Sequence, residues 1–432
     1  MWKKCWCPTM KQNDKAWRQL FERYGIADEV RRSGQFVISA EQIKQYREPR
    51  LMTKFDHVVN LPAPFAENGL SVLPISRGDY VISPFAAYHE FEELSGPDTV
   101  VRVPARLQSL SRHYLTSETM ALNCAAACGV LCDFLGEREL TPTAGGRMGS
   151  GDFDFYIGSA GKSRPLSVRG AQIEIDAAYE GAHCLALIEA KCSRSRDFLV
   201  RQLYYPYRTW RDRIEKNVRP VFFIFTGGVF YLYEYRFADP MRYDSIELLQ
   251  SRAYRLDTGI CAGDIALLLR DTQVCAEPPD VPFPQANSLE RLVNLLELLT
   301  DEPMLHEEIT AQYLFSPRQT GYYTDAGRYL GLVKKKHTPR GMVFALSERG
   351  ERLMRLGLRQ RQLALAGAVL EHAPFHRLFT LWLETGKAPE SSQIVSVLKD
   401  AAPRRVSAFS TYERRASSVA SWLQWVMALA RE

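Results

Sequence analysis

The sequence contains no apolar run near the roughly 18 residues that a membrane-spanning helix requires. Its first residues, MWKKCWCPTMKQNDK, are basic but lack the apolar stretch of a secretory signal. These absences lead to the expectation of a cytoplasmic protein with no membrane partner. A disulfide framework is missing too, because the nine cysteines are odd in number and scattered. No CxxC pair accompanies Cys124, Cys128 and Cys132, which recur every fourth residue. Buried thiols on one helix are therefore expected there rather than zinc ligands. There is no GxxxxGK[ST] phosphate loop, which argues against a motor-coupled enzyme. Internal repeats and low-complexity tracts are absent as well. Net charge is only +5 over 432 residues, so the mean charge does not call for a polyanionic partner.

The distribution of charge says more. Residues 194–219 hold Arg194, Arg196, Arg201, Arg208, Arg211, Arg213, Lys216 and Arg219 against Asp197, Asp212 and Glu215. Lys334, Lys335, Lys336 and His337 form a second basic knot, and Arg404-Arg405 with Arg414-Arg415 a third. Such clusters point to a polyanion. The chain is long enough for several domains. Residues 1–110 mix short helices and strands: KAWRQLFERYG is helical, FVISAEQIKQY opens as strand and continues as helix, and LSVLPISRGDYVI alternates around a turn. SETMALNCAAACGVLCDFLG predicts a buried helix, capped by Ser117 and stopped at Gly136. Strands follow at GDFDFYIG, AQIEIDAAYE and CLALIEAKC, then a helix broken or kinked at Pro206, then a hairpin around Gly227-Gly228.

One stretch in this region poses a problem: IEIDAAYEGAHCLALIEAKC, residues 173–192. Asp176 closes one strand-like run, and Glu189 and Lys191 interrupt another that is otherwise apolar. Charges in a buried strand are costly unless paired, solvated or bound to metal. Adjacent strands would bring Asp176 beside Glu189, and period-two alternation puts Lys191 on the face of Glu189. Two carboxylates and the Ala190 carbonyl make a hard oxygen set suited to Mg²⁺. Lys191 would orient a water and offset charge at a phosphoryl transition state. Glu174 shares the face of Asp176 and is a further candidate ligand.

Asp176…Glu189-Ala190-Lys191 resembles the PD-(D/E)xK nuclease superfamily, with Ile175 where that motif carries proline. The order helix, three strands, helix, strand resembles its αβββαβ core. In RQLYYPYR, Gln202 and Tyr207 resemble the Gln…Tyr pattern that follows the catalytic lysine, and Glu118 resembles the added acidic ligand of many members. EPRLMTKFDH, LPISRGDYVI, EIDAAYE, IEAKC and RQLYYPYR together resemble a group of bacterial type II restriction endonucleases, over roughly residues 15–240. The resemblance implies Mg²⁺-dependent cleavage of double-stranded DNA, often by a homodimer, alongside a cognate DNA methyltransferase. Arg201, Tyr207 and Arg208 are then expected against DNA.

The expected fold is α/β (α+β): a PD-(D/E)xK core with a mixed sheet at 111–240, a connector at 241–287, a winged helix-turn-helix at 288–350 and a helical region at 351–432. The winged helix-turn-helix rests on SLERLVNLLELLT, HEEITAQYLF and SPRQTGYYTDAGRYLGL, three helices, followed by a hairpin in VKKKHTPRGMVFALSERG. Ser316 and Pro317 open the third helix. Its first turns carry Arg318, Gln319, Tyr322 and Tyr323, placed for base edges. Lys334, Lys335, Lys336 and Arg340 are placed for phosphates. Two other functions remain open: a repair or recombination nuclease, and a non-catalytic DNA-binding regulator.

Overall fold

A computed structural model describes residues 12–92, 94, 99–107, 110, 115, 117–158, 163–313, 317–339, 341–401 and 409–430, with backbone alone at 311–313, 317 and 409–411. It is a mixed α/β protein with two compact units. The first comprises the described parts of Met1–Thr99, Ala121–Phe225 and Phe230–Tyr254; the second those of Val100–Met120, Thr226–Val229 and Arg255–Glu432. No described helix is long and apolar enough to cross a membrane.

In the first unit, helix Gln12–Tyr24 buries Ala16, Trp17, Leu20 and Phe21, spaced to line one face. Trp17 and Phe21 meet Phe65 edge to face at 4.6 and 5.2 Å. The strand-to-helix switch expected in FVISAEQIKQY occurs at Ser39, which ends β1 (Phe36–Ser39) and caps helix Ala40–Lys44 in a reciprocal box with Gln42. β2 (Ser71–Pro74) and β3 (Asp79–Ser83) complete a small sheet in the order β1-β3-β2. β4 (Tyr88–Glu90) and β5 (Thr99–Val101) follow.

The helix expected over 117–136 is two, Glu118–Ala127 and Val130–Leu135, because Gly129 adopts the left-handed conformation, φ 77. The Ser117 hydroxyl accepts the Met120 N–H at 3.2 Å, and Gly136 at φ 69 ends the second helix. Strands then accumulate: β6 (Thr141–Gly149), β7 (Asp152–Ile157), β8 (Arg164–Arg169), β9 (Gln172–Glu180), β10 (Cys184–Lys191), β11 (Asp197–Leu199), β12 (Asn217–Thr226), β13 (Val229–Phe237) and β14 (Ile246–Leu256). Six of them join β5 in a seven-stranded mixed sheet in the order β5-β14-β13-β12-β10-β9-β6. β6, β9 and β10 are antiparallel, whereas β10 and β12 run parallel. Parallel neighbours need a crossover, which β11 and helix Arg201–Arg211 supply. β10 is buried at every position but Lys191, as a central strand should be.

Several expectations change. GDFDFYIG does not join the large sheet; it is β7, paired with β8 in a separate hairpin. The strand beside β9 is instead β6, TPTAGGRMG, whose glycines and exposed positions mask it in the sequence. Pro206 sits inside a continuous helix Arg201–Arg211. The stretch expected to be a connector contains the long strand β14 and helix Ala262–Asp271. Gly227 and Gly228 form the expected two-residue turn, both with positive φ (61 and 84).

The second unit contains helix Leu289–Asp301, β15 (Met304–Leu305), helices His306–Tyr313 and Pro317–Tyr329, and the hairpin of β16 (Val333–Thr338) and β17 (Gly341–Leu346). The sheet order is β15-β17-β16. Leu292, Leu296, Ile309, Ala326, Leu330 and Phe344 lie in its core. The core continues into the C-terminal helices, where Phe375 stacks on Trp422 at 5.3 Å. The regions expected as separate domains at 288–350 and 351–432 therefore share one core. Ser316, the expected cap, lies outside the described residues.

Candidate active site

Along β9, Gln172 and Glu174 are exposed and Ile173 and Ile175 buried. The register then shifts: Gly146 pairs with Ile175 and Ala144 with Ala178, so Asp176 and Ala177 together oppose Gly145. A bulge of this kind bends a strand and re-aims its side chains. Pairing of β9 with β10 ends at Ala177 and Ile188. Beyond that point the Asp176 carboxylate accepts the Ala190 N–H at 2.8 Å, replacing a ladder carbonyl. Asp176 thus works from within a strand that continues to Glu180, not from its end.

Glu189 is buried, at 8% exposure. Its Oε1 accepts from Lys191 Nζ and from Gln202 Nε2, each at 2.5 Å. Lys191 Nζ also donates to the Ala190 carbonyl at 2.9 Å. Gln202 arrives from the second position of helix Arg201–Arg211. Burial pushes the Glu189 carboxyl up to about 7; Lys191 opposes this, while the charges of Asp176 and Asp56 add to it. The structure therefore brings together Asp176, Glu189, Ala190, Lys191 and Gln202.

Asp56 is the acid the sequence left without a role. It is partly exposed, its Oδ1 has no hydrogen-bond partner among the described residues, and Lys54 lies 3.9 Å from its Oδ2. His57 follows it, with Nδ1 against the buried Asp197. The only sequence signal was the stretch EPRLMTKFDH. Neither spacing nor periodicity ties residue 56 to residue 189.

Other expected residues are placed differently. Glu174 pairs with Arg147 at 3.3 Å, both about half exposed, because alternation before the bulge turns it outward. Glu118 opens helix Glu118–Ala127. Arg208 is buried, its Nη1 donating to the carbonyls of Asp154 and Pro240 at 3.0 Å and to the Tyr204 hydroxyl at 3.2 Å. It ties core segments together from the interior rather than from the surface. Tyr207 is half-buried against the Phe237 ring, and Arg201 lies over the Tyr205 ring at 5.8 Å. Much of the basic stretch 194–219 is engaged internally: Arg196 with Glu90, Lys216 with Glu180 and Arg219 with Glu234, each at 2.6 Å.

Among the described residues, no group of three or more His, Cys, Asp or Glu side chains forms a metal-binding set. Two carboxylates do converge. Hydrogen bonds engage Asp176 Oδ2 and Glu189 Oε1, leaving the second oxygen of each without one among the described residues. Such a pair fits Mg²⁺, which takes one or two carboxylates and keeps several waters. The Ala190 carbonyl already accepts from Lys191. A cleft of about 510 Å³ lined by Glu137, His183, Arg219 and Glu234 lies at the Cys184 end of β10, away from Glu189.

In the second unit, Arg318 and Gln319 are exposed near the start of helix Pro317–Tyr329. Arg318 donates to the Tyr322 hydroxyl and lies 5.5 Å from its ring centre. Tyr322 is half-buried. Tyr323, expected at the DNA, is 6% exposed and part of the helical core. Lys334, Lys335 and Lys336 are exposed on β16. Arg340 lies outside the described residues.

Three family models match the chain, each described as a domain of unknown function: DUF6996 over residues 14–82, DUF6997 over 83–255 and DUF7226 over 291–431. Asp56 and His57 fall in the first match, the strands and helix of the site in the second, and the helices with the β16–β17 hairpin in the third. No curated protein and no solved structure matches.

Proposed function

We propose that this protein is a Mg²⁺-dependent, sequence-specific endonuclease of double-stranded DNA, a restriction enzyme of the PD-(D/E)xK type. The observation that carries this reading is the joining of Asp176, Glu189, Lys191 and Gln202 where β9 and β10 part. The path supports it too: helix, antiparallel β6, β9 and β10, helix Arg201–Arg211, then parallel β12, which is the αβββαβ order. Asp176 and Glu189 would hold Mg²⁺. When bound, the ion would polarise a phosphoryl oxygen and lower the pKa of a water. Lys191 would orient the attacking water and offset charge on the phosphoryl group. Gln202 would fix the Glu189 carboxylate.

The second unit, on this reading, is a winged helix with Arg318 and Gln319 at base edges and Lys334, Lys335 and Lys336 at phosphates. The active form is a homodimer on a symmetric target, and a companion methyltransferase protects host DNA. Digestion of plasmid with Mg²⁺ tests the proposal. It predicts discrete fragments; smears or junction-specific cuts would favour a repair nuclease, and no cleavage a non-catalytic DNA binder.

A further inference from the structure

Lys191 and Gln202 both bond Glu189, and the chain between them contains Asp197 on β11. Asp197 is buried, at 5% exposure. Its carbonyl oxygen lies 2.7 Å and its Oδ1 3.2 Å from His57 Nδ1, and Oδ1 also lies 3.4 Å from the Val58 N–H. The segment around His57 is pinned again by Tyr88, whose hydroxyl donates to the Phe55 carbonyl at 2.9 Å from a strand paired with β11. Two oxygen acceptors at Nδ1 place the proton of a neutral ring there, so Nε2 is the nitrogen that exchanges protons. Nε2 makes no hydrogen bond among the described residues, and the side chain is 16% exposed. The preceding residue, Asp56, is close enough for its charge to act on Glu189.

We propose that His57, oriented by Asp197, is the general acid that protonates the leaving oxygen of the cleaved phosphodiester. The inference rests on the nuclease reading. Water oxygen bonds to phosphorus, and its proton passes to solvent. The bond from phosphorus to the leaving oxygen breaks, with the electron pair staying on that oxygen. The imidazolium gives its Nε2 proton to this oxygen, producing the alcohol, and the neutral ring regains a proton from solvent. His57 is catalytic in this scheme; Asp197 is a positioning residue.

The test uses the full chain with Mg²⁺ and a duplex carrying the cut site mapped by plasmid digestion. Sulfur replaces the leaving oxygen, in 3′ and 5′ versions, because a thiolate departs without protonation. The ratio of variant to wild-type rate is read on oxygen and on sulfur substrates under single turnover. His57→Gln should lose about 100-fold or more on oxygen, the usual scale of general-acid catalysis, and match wild type on the sulfur substrate that wild type cuts. Cleavage of that substrate also shows that the variant is folded. Asp197→Asn should show the same selective loss, to a smaller degree. Equal loss on both substrates, or no loss on either, overturns the role of His57 and leaves the nuclease reading intact. A wild-type protein that cuts no DNA overturns both.

Discussion

Glu189 carries the most demanding chemistry in the candidate site, a carboxyl buried between a lysine and two further acids. Its folded-state pKa, about 7 against an ordinary 4.5, means that the folded chain keeps this proton to higher pH than the unfolded chain. The contribution to stability is full below about 4.5 and is lost as pH rises through about 7. Glu189→Gln cannot ionise. With divalent cations chelated, it should gain about 3 kcal/mol relative to wild type between pH 4 and pH 8, the scale set by the shift. Urea unfolding at the two pH values measures this, and parallel pH dependences would contradict it. Arg208 makes the opposite case. Its role in joining Asp154, Pro240 and Tyr204 predicts that Arg208→Ala costs about 2–3 kcal/mol, as buried polar groups lose their partner, with no loss of DNA affinity while the protein stays folded. Melting curves paired with gel shifts separate the two effects. Asp176, Glu189, Lys191 and Gln202 were legible because strand alternation and one following helix turn fix their meeting locally. Asp56, His57 and Asp197 were not, because their meeting depends on packing across the chain. Arg208 and Tyr323 read as surface residues for the same reason, since nothing local shows that their heads are buried.

At the scale of elements, the bulge where Asp176 and Ala177 oppose Gly145 decides where the Asp176 carboxylate points. Gly146 next to it has φ 86, a conformation that an L side chain enters at a cost. Gly146→Ala should lower stability by about 1–2 kcal/mol and reduce cleavage more than DNA binding, because it disturbs the bulge. Unchanged cleavage would mean that the bulge does not aim Asp176. β6 escaped the sequence because glycine and exposed polar residues hide its partnership with β9, while the alternating GDFDFYIG lent itself to the wrong sheet. The hairpin at Gly227-Gly228, the strand-to-helix switch within FVISAEQIKQY and the helix start at Ser117 were legible, because turn and cap chemistry is local. In the second unit the proposed split between base and phosphate contacts gives its own test. Neutralising Lys334, Lys335 and Lys336 should weaken cognate and random duplexes alike and flatten the salt dependence. Arg318→Ala should cost about 1–3 kcal/mol on the cognate site alone. Titrations at several salt concentrations check both; equal losses for both variants would remove sequence reading from this helix.

For the whole molecule, the proposed nuclease would cut one strand per site, so a double-strand break at a symmetric target would most simply be made by a two-fold pair. Light scattering with cognate DNA should therefore report two chains per duplex; a single chain making double-strand breaks would count against the dimer. The expected domain boundaries were legible only in part. Most of the N-terminal region and the strands of the large mixed sheet fall in one unit, and the helices after 351 share the core of the hairpin-bearing unit. Long-range packing of this sort leaves no periodic mark in a sequence. The most direct measurement is cleavage of plasmid with Mg²⁺ by wild type and by Asp176→Ala, Glu189→Ala and Lys191→Ala, run beside gel shifts in Ca²⁺, which suits oxygen ligands without activating water. Wild type should cut, and all three variants should bind but not cut. Full activity in Glu189→Ala would contradict this.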